Sequence, residues 1–212
     1  MGDVNAEVIA SLTTAAGTLV LAVATYASTR SANRASRVAE RSLLAGLRPV
    51  LMHARLDDPH QKIGFSDEHW VHVEGSGAVF EVGDGVIYLA VALRNVGSGL
   101  AVLQGWDPTP ERVIGDQSHR PVERFRVLTR DIYVAAGDAG FWQGAFRDPT
   151  DRLYGEFAAA ARDRIPVTID VLYTDMHGGQ RSITRFSIQP GRGDQWLATV
   201  GRHWVLDGVS PR

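Results

Sequence analysis

Residues 8–29, VIASLTTAAGTLVLAVATYAST, carry no charged side chain, and no other feature restricts the fold of this chain so strongly. As a helix rising about 1.5 Å per residue they span roughly 33 Å, against a bilayer hydrocarbon core of about 30 Å. The stretch is rich in alanine and threonine, so it is a mild span. A helix lying on a soluble domain should keep one polar face, and here no face carries a charge. A secretion signal should open on a basic segment, whereas MGDVNAE holds Asp3 and Glu7 and no Lys or Arg. Residues 1–29 are therefore expected to be an N-terminal tail and a transmembrane helix, ahead of a cleaved signal or a soluble helix.

Charge on the flanks predicts orientation. Arg30, Arg34, Arg37, Arg41 and Arg48 follow the apolar stretch, and only acids precede it. The positive-inside rule places the N-terminus outside and the remaining chain in the cytoplasm, held to the cell membrane by a single pass. Steps of four, three and four put Arg30, Arg34, Arg37 and Arg41 on one face of a continuing helix over residues 30–47. That face is a candidate for contact with anionic lipid headgroups, at about 1 kcal/mol per arginine; the plainer alternative is a solvated helix face. Ala10, Thr14, Thr18 and Ala22 form a stripe of small residues that could pack on another span, although alanine-rich composition alone produces such stripes.

Residues 48–212 read as one β-domain. Arg48-Pro49 closes the helical run, since the residue before proline is pushed out of the α region. VLMHARL, HWVHVE and AVFEV follow as short strands, and Gly83-Asp84-Gly85 is a hairpin signal. VIYLAVALRN is apolar on both faces and should be a central strand covered on both sides. VGSG breaks it, LAVLQGW resumes, and FRVLT and RDIYVAAGDAGFWQGAF continue in strands and turns. One helix interrupts, with Asp148 as the expected N-cap and Pro149 at the first helical position. PVTIDVLYTDMHGGQRSITRFSI is a second hairpin, whose return strand places Ile183 and Phe186 on opposite faces, as a bulge would. QWLATVGRHWVL reads as a last strand, with a short Asp194-capped helix as the alternative. Short strands between Gly and Asp turns predict a mainly β fold, an antiparallel immunoglobulin-like sandwich with one internal helix.

LRNVGSGLAVLQGW and VLYTDMHGGQRSITRF, behind an N-terminal span and an LRP junction, carry a resemblance. The chain resembles small actinobacterial single-pass membrane proteins of unknown function, in which a strand ending Asn-x-Gly-x-Gly leads into a further strand and a Tyr-x-Asp hairpin closes the sandwich. Those proteins commonly have Pro-Ala where this chain has Leu100-Ala101. The resemblance implies the architecture, and it brings no activity and no functional residues.

Chemical motifs are sparse. The chain has no cysteine, which removes disulfides and thiolate metal sites. A net charge of −2 supplies no basic field for nucleic acid. Gly97 and Gly99 precede a strand, where a phosphate cradle would need a helix; they are expected to supply positive φ in a turn. His69 and His72 fall on opposite faces of a strand. Asp175 and His177 could share a face, but a metal would need His53 or His203 as well. No Gly-x-Ser-x-Gly elbow occurs, and Asp57-Asp58 and Asp67-Glu68 are adjacent pairs that diverge on any regular element. Arg192-Gly193-Asp194 matches an adhesion tripeptide in a turn, which the expected cytoplasmic side argues against. No catalytic, cofactor or metal residues are assigned.

Five tryptophans stand out, Trp70, Trp106, Trp142, Trp196 and Trp204. Most should be core residues. Exposed beside Arg124, Arg126 or Arg202 they would mark a recognition surface, for which Trp106, Trp142 and Trp204 are the candidates. The resulting expectation is a membrane-anchored cytoplasmic β-sandwich that docks a protein or senses a membrane partner. An extracytoplasmic ligand-binding domain of inverted topology is the alternative, and a hydrolase or metal enzyme stands further back.

Overall fold

The computed structural model describes residues 2–115 and 117–207, which form two compact units, Met1–Ala45 and Gly46–Arg212. The side chains of residues 2–10, 14, 41 and 45 lie outside the described set. The expected headgroup contact of Arg41 and the Ala10 and Thr14 part of the small-residue stripe fall there.

The first unit is one unbroken helix, α1 (Gly2–Gly46). Within it Ser11–Leu44 is long and apolar enough to cross a membrane, and none of its most apolar window is buried. Leu12, Leu19, Val20, Leu21, Val23 and Tyr26 are all exposed. Two threonines of this stretch are internally satisfied: the Thr25 hydroxyl donates to the Leu21 carbonyl and the Thr29 hydroxyl to the Thr25 carbonyl, both at 2.8 Å. Back-bonding of this kind removes hydroxyls that a hydrocarbon environment could not solvate.

The second unit runs β1 (Leu51–His53), β2 (Gln61–Gly64), β3 (Trp70–Val73), β4 (Gly77–Gly83), β5 (Val86–Asn95), β6 (Ala101–Thr109), β7 (Arg126–Val134), β8 (Ala139–Phe146), α2 (Tyr154–Arg162), β9 (Val167–Thr174), β10 (Ser182–Pro190) and β11 (Trp196–Val205). All strand pairs are antiparallel, in the order β1-β5-β4-β11-β10-β9-β6-β7, with β8 on the other edge of β5. The sheet curls into two facing layers, β8-β5-β4 with β1, and β11-β10-β9-β6-β7. Only the short β4–β11 pairing at Gly77 and Ala78 joins them.

β5 is the central strand that its two apolar faces require. Ile87, Leu89, Val91 and Leu93 point into the main core, where they meet Val167, Ile169, Val171 and Tyr173 of β9 and Phe186 and Ile188 of β10. Tyr88, Ala90 and Ala92 point the other way and are covered by the β2–β3 hairpin through Ile63, Phe65, Val71 and Val73. The Asp84-Gly85 turn joins β4 to β5 with Gly83 opposite Val86. Both turn residues have positive φ, 51° and 76°, as a two-residue turn matched to strand twist demands.

Three local expectations are corrected. The internal helix starts at Tyr154, not beside Asp148. Asp148 instead closes a tight turn on the Thr150 N–H (2.8 Å) and hydroxyl (2.7 Å), which leaves Leu153 and Phe157 to bury into the main core. β10 keeps unbroken register with β9, so Ile183 and Phe186 diverge because each face of β10 has its own apolar cluster. The irregularity belongs to β11, where Arg185 faces Arg202 and Phe186 faces Val200, skipping Gly201.

Gly97 and Gly99 are the third case: neither has positive φ. They are there because backbone passes against them. A Cβ on Gly97 would lie 2.3 Å from the Arg48 carbonyl oxygen, and one on Gly99 would lie 1.7 Å from that of Leu47. Asn95 completes this clamp. Its Oδ1 accepts the Val50 and Gly97 N–H groups at 3.1 and 3.0 Å, and its Nδ2 donates to the Gly99 and Val134 carbonyls at 2.7 and 3.0 Å. The Asn-x-Gly-x-Gly motif thus pins the segment that enters the β-domain.

Candidate functional site

The two edges of β4 are unequal. One is paired to β5 from Ala78 to Gly83. The other meets β11 only at Gly77 and Ala78, because the chain ahead of Trp196 folds back on itself. There the Gly191 N–H donates to the Gln195 carbonyl (2.8 Å) and the Gln195 N–H to the Arg192 carbonyl (3.2 Å). The two-residue turn makes Gly83 and Val86 a mutually bonded pair, and such pairs recur at every second residue. The peptide groups of Val79, Glu81 and Gly83 therefore face β5, and those of Phe80 and Val82 face outward. Among the described residues no second strand pairs with Phe80 or Val82.

A groove of about 790 Å³ runs along this edge, within the rough 300–1,000 Å³ range of binding sites. Its floor holds Phe80 and Trp196, with ring centroids 5.0 Å apart. Ala161, Arg162 and Arg164, at and just past the end of α2, line it, as do Leu56, His72 and Glu74. Arg164 lies just past the helix with φ of 53°, a left-handed conformation that costs a non-glycine residue roughly 1–2 kcal/mol. Two contacts hold it there: its guanidinium sits 5.0 Å over the Trp196 ring and donates to the Gln195 carbonyl at 2.8 Å. The end of α2 is thereby tied to the start of β11, and the groove keeps its shape.

The groove is acidic. Glu74, Glu81 and Asp194 line it against Arg162 and Arg164. Arg162 is matched by Asp163 at 3.1 Å, and Glu81 meets His69 at 2.7 Å. Glu74 and Asp194 have no side-chain partner among the described residues; three acids against two arginines, Arg164 being held on the Trp196 ring, leave the lining one net negative charge.

A smaller cavity of about 170 Å³ lies between β7 and β8, which run alongside each other without a ladder. The buried Gln143 Oε1 there has no hydrogen-bond partner. Its arginines are committed elsewhere, Arg126 to Asp151 at 2.6 Å and Arg147 to Asp67 at 3.4 Å.

The residues singled out from sequence are dispersed. Arg30, Arg34 and Arg37 are exposed on α1. Trp106, Trp142 and Trp204 are 4%, 0% and 6% exposed, so the expected tryptophan surface is not formed. Each has an interior role: Trp106 packs edge-on against Trp142 and Phe146, with Arg126 over its ring, and Arg185 and Arg202 lie over Trp204. The arginine–tryptophan pairing exists, with Arg126 and Arg202 partly exposed and Arg185 buried against Trp204. Trp70 is the exposed tryptophan, at 58%, with Lys62 Nζ 4.8 Å above its ring.

Asp175 is buried and holds its own turn, accepting the Gly179 and Gln180 N–H groups at 2.8 and 3.2 Å, whereas His177 is exposed. His203 bonds with Thr184 and Tyr173, and burial together with Arg48 holds its pKa below the ordinary histidine value. Burial pushes the Tyr173 phenol up to about 12. No group of three or more His, Asp or Glu side chains suited to a metal ion occurs among the described residues. Of the Arg192-Gly193-Asp194 tripeptide, Asp194 lines the groove.

Sequence reasoning identified β4 as a strand and passed over its open edge. Edge status depends on where β11 turns away, more than a hundred residues later in the chain, and no local pattern encodes it. No family model matches this chain, and no curated protein or solved structure matches it either.

Proposed function

We propose that this chain is a single-pass membrane protein whose β-domain is a docking module held at the cytoplasmic surface. The observation that carries this reading is the β4 edge left unpaired beyond Ala78, along a groove of about 790 Å³. A strand edge without a pairing strand is a binding hazard that folded domains normally block; this one carries no proline or lysine, and Glu81 is its one charged residue. The anchor rests on α1, whose described large apolar side chains from Leu12 to Tyr26 are exposed and whose Ser11–Leu44 stretch is long and apolar enough to cross a membrane. The cytoplasmic side rests on Asp3 and Glu7 before the span and on Arg30, Arg34, Arg37, Arg41 and Arg48 after it. In this reading the same arginines meet anionic lipid headgroups. Confinement to a surface raises the effective concentration of a weak docking site for partners in the same membrane.

Two measurements test it. A reporter fused after Arg212 should be active in the cytoplasm; activity only after export would invert the topology. A photoreactive side chain at Glu81 should crosslink to a protein in intact cells, and one at Val127, exposed on β7, should not. Equal crosslinking at both positions would remove the groove from the account.

A further inference from the structure

We infer that the β4 groove receives an extended, basic segment of a partner protein, which adds to the sheet as one more strand. This rests on the docking reading above. The peptide groups of Phe80 and Val82 that face away from β5 offer two donors and two acceptors at alternate positions of this edge, Val82 half-exposed and Phe80 3% exposed on the groove floor. That pattern is met by another strand and by no globular surface. β11 already occupies the same line at Gly77 and Ala78 and then leaves it. The open part, Val79–Gly83, is about 17 Å long at roughly 3.4 Å per residue.

Side chains of the added strand alternate between two environments. Those on the main-core side meet Phe80, Trp196 and Ala161, which take small apolar groups. Those on the opposite side meet His72, Glu74 and Glu81. Glu74 and Asp194 lack side-chain partners among the described residues, Arg162 is matched by Asp163 and Arg164 sits on the Trp196 ring on the core side, so lysine or arginine on the Glu74 and Glu81 side completes the site. The same acids oppose self-association, since two copies meeting edge to edge would bring Glu81 and Glu74 against their own kind.

The test uses the full chain in detergent micelles and a capped peptide of alternating lysine and valine, about seven residues long. Saturating peptide should slow amide exchange at Phe80 and Val82 by about tenfold or more, with Val127 on β7 unchanged. A peptide with glutamate for lysine should bind about tenfold more weakly. Val82→Pro deletes one outward N–H without touching the β5 ladder and should abolish binding, whereas Val82→Thr, which keeps the N–H, should retain it. A peptide N-methylated along one edge reports the same loss on the unaltered protein, should Val82→Pro misfold. Binding to Val82→Pro equal to wild type, or no exchange protection at Phe80 and Val82, overturns strand addition. So does a dimer of the free chain that Val82→Pro dissolves, because the occupant would then be a second copy. Crosslinking at Glu81 in cells without peptide protection would sink strand addition alone and leave docking standing; loss of that crosslinking would sink both.

Discussion

α1 and β5 are both apolar stretches with opposite fates. From Ile87 to Leu93 every residue of β5 is buried, covered by one core on each face. The most apolar window of α1 has nothing buried. The difference lies in what each segment finds to cover it. A strand with two apolar faces recruits one layer for each: β9 and β10 on one side, the β2–β3 hairpin on the other. The described large apolar side chains of α1 are exposed, and burial of a Leu or Val side chain is worth about 1.5–3 kcal/mol. By length and composition α1 is able to cross a membrane.

The comparison is most sharply broken by cutting at its boundary. Deleting residues 1–46 should move the protein from the membrane fraction to the soluble fraction, with the β-domain still unfolding cooperatively. A fragment that stays with membranes, or that no longer folds, would show that the two units are not separable. Charge obeys the same rule as apolarity. Arg185 and Asp170 form a bidentate pair at 2.7 Å on each arm, both nearly inaccessible and beneath Trp204. Arg185→Met leaves a carboxylate buried across from Asp107, whose own pKa is raised by burial, and should cost about 3–5 kcal/mol in urea unfolding. Removing Arg162 from its exposed pair with Asp163 should cost at most about 1 kcal/mol.

Leu89→Ala should destabilise the β-domain by about 2–5 kcal/mol, while Leu21→Ala on α1 should leave its unfolding midpoint unchanged. If both substitutions shift the midpoint alike, α1 is covered by the domain and not by lipid.

The smallest expected effect is a pH dependence. Arg94, with help from the Arg55 N–H, holds the Asp58 carboxyl down to about 2, against an ordinary 3.8. The unfolded chain binds the proton first, so this contribution is complete above pH 3.8 and is lost as pH falls through about 2. Asp58→Asn should flatten the acid limb of stability in that window. His203 acts at higher pH with the same sign: the fold prefers the neutral ring, so its contribution declines as pH drops below 6.5.

Much of the architecture was legible. The two apolar faces of VIYLAVALRN marked β5 as a central strand, and Asp-Gly marked the β4–β5 turn, because both signals are local. Reasoning failed where the cause was a distant neighbour. Asp148 and Pro149 carry the chemistry of a helix start, yet the helix waits for Tyr154 so that Leu153 and Phe157 reach the core. Gly97 and Gly99 looked like turn glycines, whereas Leu47 and Arg48, some fifty positions earlier, are what demand their missing side chains. Trp106, Trp142 and Trp204 could be counted from sequence but not placed, since their burial depends on strands that meet only after folding.

The amino-acid sequence alone determined that one segment is an uncharged helix of bilayer length and that the remainder is built of antiparallel strands, because periodicity, charge and turn residues act over a few neighbours. Only the tertiary structure decided which strand keeps an open edge, which acids border it and which tryptophans are hidden. Those properties arise when segments far apart in the chain either meet or, as with β11 beyond Ala78, turn away.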